Sequence, residues 1–88
     1  MEIGVCSISA RDWNIDDVIA TASSVGFSFI EVWGKEPHVG DRTRADAERL
    51  VELGEQYSLP TRGYGSYLRA GAISESEVTR ELEVASHL

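Results

Sequence analysis

Two short stretches hold most of the side chains with chemical potential. In the first, a carboxylate interrupts an apolar run, Phe27-Ser28-Phe29-Ile30-Glu31-Val32-Trp33, and Gly34-Lys35-Glu36-Pro37-His38 follows at once. An aromatic and β-branched run of this length reads as a buried strand. An ionised Glu31 inside it is costly without a partner, so its presence asks for a reason. The loop behind it collects a lysine, a second glutamate and a histidine, groups able to bind a polar substrate or transfer protons. The alternative for Lys35, Glu36 and His38 is a solvated loop, stiffened by Pro37. In the second stretch, Tyr64, Tyr67 and Arg69 follow a glycine-rich strand. Tyrosine hydroxyls there suit substrate hydroxyls, and a guanidinium suits a phosphate or carboxylate.

These stretches need elements to position them, and the pattern supplies strand and helix in alternation. Ile3 to Ser7 is a short apolar run, read as the first strand. Asn14 caps the helix after it, with Asp17 in a capping-box arrangement and Trp13 and Val18 set to form a hydrophobic staple. Ile15, Val18, Ile19, Ala22 and Val25 follow helical spacing up to the stop at Gly26. Thr43 and Asp46 open a second helix reaching Tyr57, whose buried stripe is Ala47, Leu50, Val51 and Gly54. Gly54 lowers its helix propensity by roughly 1 kcal/mol, which close packing on a sheet would explain. Leu59 to Gly65 is the third strand. Ser74 and Glu77 start the last helix, stapled by Ile73 and Val78, with Val78, Leu82 and Ala85 as its apolar stripe.

Three such βα units, about 30 residues apart, imply a parallel sheet. Alternation puts Phe29, Glu31 and Trp33 on one face of the second strand and Ile30 and Val32 on the other. With helices on one side only, the other face is bare and two strand edges are unpaired. The expectation is therefore that residues 1–88 form a single partial domain, the opening portion of a closed barrel.

Composition narrows the function. The chain has 88 residues, 42% hydrophobic and 26% charged, with a net charge of −7. An acidic balance without a basic stripe argues against nucleic acid. No apolar run approaches the roughly 20 residues that span a bilayer. The first residues lack the basic and apolar regions of a signal peptide, so a cytoplasmic protein without a membrane partner is expected. Cys6 is the only cysteine, which excludes an internal disulfide and a thiolate metal cluster within one chain. Ser7 and Ser9 have no histidine close in sequence, giving no support for a nucleophile. Gly63 and Gly65 flank Tyr64 without the lysine motif of a phosphate-cradling loop. Arg62 reads as outward or ion-paired, and His87 as a surface residue.

Ile3-Gly4-Val5-Cys6-Ser7, Phe29-Ile30-Glu31-Val32-Trp33-Gly34 and Tyr64-Gly65-Ser66-Tyr67-Leu68-Arg69 resemble the first three strands of a sugar phosphate isomerase/epimerase of the xylose-isomerase-like TIM-barrel superfamily. A glutamate within the second strand after a Gly-aromatic pair, Gly26-Phe27, carries the most specific part of the likeness. The resemblance implies an α/β fold, the parallel (βα)3 portion of a TIM (β/α)8 barrel, since a whole barrel takes about 250 residues. It further implies proton transfer next to the carbonyl of a sugar or polyol-type substrate, with a divalent metal (Mn, Mg, Zn or Co) held mainly by later strands. On that reading this chain alone binds no metal and should not catalyse.

The resemblance places Glu31, Trp33, Lys35, His38, Tyr64, Tyr67 and Arg69 as substrate-binding candidates. Glu31 is either a substrate-facing carboxylate or a structural one bonded to backbone and arginine. Trp33 is either the wall of a sugar pocket or barrel packing. The alternative function is a non-catalytic α/β fragment that hides its bare sheet face by self-association. A third is an apurinic-site endonuclease; in that branch a metal-binding histidine commonly stands where Tyr64 aligns, and both the tyrosine and the acidic charge count against it.

Overall fold

A computed structural model describes residues 2–40, 43–66 and 74–88. Its order is β1 (Gly4–Cys6), a 3-10 turn (Ser7–Ala10), α1 (Ile15–Ser24), β2 (Phe29–Trp33), α2 (Arg44–Tyr57), β3 (Thr61–Gly65) and α3 (Glu75–Ser86). The three strands form one parallel sheet in the order β1-β2-β3, so the expected βα alternation is present. Among the described residues no helix is long and apolar enough to cross a membrane.

The helix starts follow the local chemistry. The Asn14 side chain accepts the Asp17 N–H, and Thr43 with Asp46 closes a reciprocal capping box. Ser74 accepts the Glu77 N–H in the same way; the staple residue Ile73 lies outside the described residues. Gly26, at φ 98°, takes the left-handed turn that stops α1. Val25 is the cap residue of α1 and exposed, so it does not extend the buried stripe as expected. Trp13 likewise stays half-exposed while Val18 turns inward.

The core lies between the helices and one face of the sheet. Ile30 and Val32 are wholly buried there, packed with Ile19, Leu50 and Leu59. Each such side chain contributes about 1.5–3 kcal/mol of burial. In α2 the inward positions are Ala47, Leu50, Leu53 and Gly54; Leu53 replaces Val51, which is exposed. Gly54 is explained by approach to the chain entering β3, because a Cβ there would stand 3.0 Å from the Leu59 carbonyl oxygen.

α3 departs from expectation. Glu81 and Val84 are its buried residues, whereas Val78 and Ala85 are exposed and Leu82 is 66% exposed. The apolar stripe marks a side of this helix that finds no partner among the described residues. The helix meets the rest of the molecule through a neighbouring side, where Val84 is shielded and Glu81 accepts the Tyr64 hydroxyl.

This geometry inverts the usual expectation for two substitutions. Val84→Ala should lower unfolding free energy by about 2 kcal/mol, from lost burial and the cavity left behind. Leu82→Ala, despite removing more carbon, should stay within about 0.5 kcal/mol of the parent. Urea unfolding midpoints at constant m-value read both.

Candidate functional site

The sheet face away from the helices carries Glu31. Register sets Cys6 of β1 and Gly63 of β3 on either side of it, with Phe29 and Trp33 on its own strand. Gly63 gives this side chain room: a Cβ there would stand 2.9 Å from the Glu31 Cγ, so the carboxylate would have to shift. Glu31 is exposed, contrary to the expectation of a buried carboxylate: no second layer covers this face in the described residues. Its desolvation cost is therefore not incurred.

The register between β2 and β3 is irregular at Ile30/Glu31, and Arg62 is the additional residue on β3. Its guanidinium lies 5.2 Å from the Phe29 ring centroid and pairs with Glu2 at 2.6 Å, as the outward, ion-paired reading expects. The guanidinium holds the Glu2 carboxyl below the ordinary carboxylate range. Phe29 also covers Gly4, where any Cβ would clash with the ring. Phe29 is consequently half-buried rather than bare, and Trp33, whose ring meets His38, is half-buried as well.

Glu31 accepts a hydrogen bond from the Cys6 thiol at 3.4 Å. That bond, together with partial desolvation and the negative charge of the carboxylate, raises the thiol pKa above its ordinary value. Cys6 is thus kept protonated, which opposes use of the thiolate as a nucleophile.

Behind Trp33, the loop after β2 folds inward. His38 N–H and Val39 N–H both donate to the Lys35 carbonyl at 2.9 Å, and Val39 enters the core. His38 goes with it and is only 3% exposed, so it is neither a solvated loop residue nor open to a substrate. Its Nδ1 lies 2.8 Å from Ser7 Oγ and its Nε2 3.1 Å from the Ala10 carbonyl oxygen. A carbonyl only accepts, so Nε2 carries the proton and Nδ1 accepts the Ser7 hydroxyl. Ser7 Oγ in turn accepts the Trp33 N–H at 2.8 Å. The Trp33 indole meets the imidazole edge-on, with centroids 5.5 Å apart. The pairing of serine and histidine resembles a nucleophile and its base, yet Ser7 is 1% exposed and cannot reach a substrate.

The structure therefore divides the substrate-binding candidates. Glu31 and Trp33 share the open face, Lys35 lies in the loop beyond it, and His38 is buried behind Trp33. Tyr64 stands opposite Val32 in register, and its hydroxyl donates to Glu81. It is close enough to β2 that a Cβ on Gly34 would lie 2.5 Å from the hydroxyl oxygen. Tyr64 thus belongs to the helix face with the core, away from Glu31. Tyr67 and Arg69 lie outside the described residues. Two residues matter here that sequence reasoning did not bring to the site: Cys6, through Glu31, and Glu81, which no periodicity marked.

No protein-family model matches this chain, and no curated protein sequence matches it.

The thiol–carboxylate contact has a measurable consequence. At pH 8, Cys6 should alkylate with iodoacetamide several-fold more slowly than an unperturbed cysteine. Glu31→Gln, which removes the negative acceptor, should lower the thiol pKa and speed the reaction, shifting its pH–rate midpoint downward. An unchanged midpoint would show that Glu31 does not govern the thiol.

Proposed function

We propose that the chain is the first three βα units of a TIM-barrel sugar phosphate isomerase/epimerase, contributing part of a substrate pocket rather than a whole active site. The observation that carries this reading is the open sheet face: Glu31 toward the carboxyl end of β2, flanked by the rings of Phe29 and Trp33 and given room by Gly63. Such a face suits the inner surface of a closed barrel, whose sites lie at the carboxyl ends of the strands. Glu31 would accept a hydrogen bond from a substrate hydroxyl, and the Trp33 ring would lie against the apolar face of a sugar.

A divalent metal in this reaction class polarises the carbonyl next to the proton that moves. The residues present do not fit a complete site for one. Among the described residues no three His, Cys, Asp or Glu side chains gather as a metal ion needs, and Glu31 has only Cys6 of these beside it. Its ligands would come from further strands, and no step here is assigned to it.

The same uncovered face supports a second reading, a module that buries Phe29 and Trp33 by self-association. A folded monomer by light scattering at all accessible concentrations would exclude it. The endonuclease reading draws nothing from Tyr64, whose hydroxyl is committed to Glu81.

The enzymatic reading is tested on the polypeptide encoded by the whole reading frame. Supplied with Mn²⁺ and a panel of aldose and ketose phosphates in D₂O, it should introduce deuterium next to the carbonyl. Glu31→Gln should reduce that rate by about 10²-fold if the carboxylate takes part in proton transfer. A reading frame that closes at Leu88, or a product that exchanges none of the panel, contradicts the reading.

A further inference from the structure

His38 is the one histidine among the described residues held inside the fold, and the polar atoms around its ring are all engaged. The Ala10 carbonyl takes the Nε2 proton, and the Ser7 hydroxyl gives its own proton to Nδ1 while accepting the Trp33 N–H. This satisfies the neutral imidazole completely. An imidazolium carries a proton on both nitrogens, so Ser7 Oγ would have to accept from Nδ1 and from Trp33 at once. The Ser7 proton would have to leave Nδ1 for another acceptor, and a positive charge would sit where His38 is only 3% exposed.

We infer that His38 is a proton-operated latch: its protonation releases the loop 34–40 from the turn after β1 and frees Trp33 at the edge of the open sheet face. The surrounding charges leave this intact. From α1, Asp16 faces the shared depression, but both of its oxygens are bound by Arg49, at 2.6 and 2.7 Å. From α2, Asp46 is occupied by the Thr43 backbone and hydroxyl at 3.0 and 3.1 Å, and Arg49 is held by Asp16. The turn after β1 meets the ring through the neutral Ser7 hydroxyl and the Ala10 carbonyl, with Arg11 and Asp12 beyond it exposed, while Lys35 and Glu36 belong to the outer part of its own loop. Among the described residues neither carboxylate bonds the imidazole, whose ring nitrogens meet only the neutral Ser7 hydroxyl and the Ala10 carbonyl. The latch works independently of whatever occupies the open face, and its failure would leave the functional reading above untouched.

Imidazole side chains change charge between about pH 5 and 8, which sets the range of the test. The experiment follows amide hydrogen exchange at Trp33, His38 and Val39 from pH 8 to pH 5, expressed as protection factors, alongside the ¹⁵N shifts of the His38 ring. Expected is a fall in protection of about tenfold or more at these three amides, following ring protonation, while Ile19 and Leu50 keep theirs. Trp13→Phe leaves Trp33 as the single indole, and its fluorescence should change over the same interval. In Trp13→Phe combined with His38→Gln, whose side-chain amide supplies a neutral donor and acceptor, that change should vanish. The proposal is overturned if the ring protonates without loss of loop protection, or stays neutral to pH 5 in a folded chain. It is equally overturned if Ile19 and Leu50 lose protection together with the loop, which is acid unfolding. Should His38→Gln not fold, the ring shifts and protection factors of the parent chain decide alone.

Discussion

One hydroxyl group joins the parts of this fold that sequence keeps apart. β1 ends at Cys6 and turns away into a 3-10 helix, leaving the Trp33 N–H of β2 with no strand carbonyl beside it. Ser7 Oγ takes that place in the ladder. Because the same oxygen also bonds His38, the end of β2, the turn after β1 and the loop before α2 are fixed to one another. A buried N–H needs such a partner, and losing it exposes a desolvation cost of about 1–3 kcal/mol. The surface ion pairs, Arg49–Asp16 and Arg62–Glu2, are exposed on both sides and add little by comparison.

The arrangement of the open face follows from that anchor. Trp33 has its backbone held by Ser7 and its ring set edge-on by His38, so its position relative to Glu31 is specified from behind. Glu31 is specified from the sides, by Cys6 on one strand and by the space over Gly63 on the other. The sheet thus presents a placed carboxylate between two rings, with no layer above it among the described residues. On the helix side the corresponding work is done by Tyr64, which packs against Gly34 and joins α3 through Glu81.

What is legible in the sequence is local. The caps at Asn14, Thr43 and Ser74, the left-handed stop at Gly26 and the alternation along Phe29–Trp33 depend on near neighbours, and the structure keeps them. What is not legible depends on which surfaces meet. Leu82 and Val78 mark an apolar side of α3, but a helix buries the side that has a partner, and here that side holds Val84 and Glu81. His38 stands 31 residues from Ser7, so their bond exists only once β1 and β2 lie side by side. Glu31 reads as buried because its strand neighbours are apolar; its exposure comes from the missing second layer, which strand pattern alone does not reveal. α2 ends at Tyr57, where the sequence pattern puts it, although Ser58 rather than glycine takes the left-handed position, at φ 54°.

The central claim is that the Ser7 hydroxyl completes the ladder at Trp33. Native-state amide exchange on Ser7→Ala at neutral pH tests it most directly. Protection at the Trp33 amide should fall by about tenfold or more, while the Ile30 and Gly34 amides, bonded to the Pro60 and Gly65 carbonyls, stay protected. A Trp33 amide as protected in Ser7→Ala as in the parent chain would contradict the account.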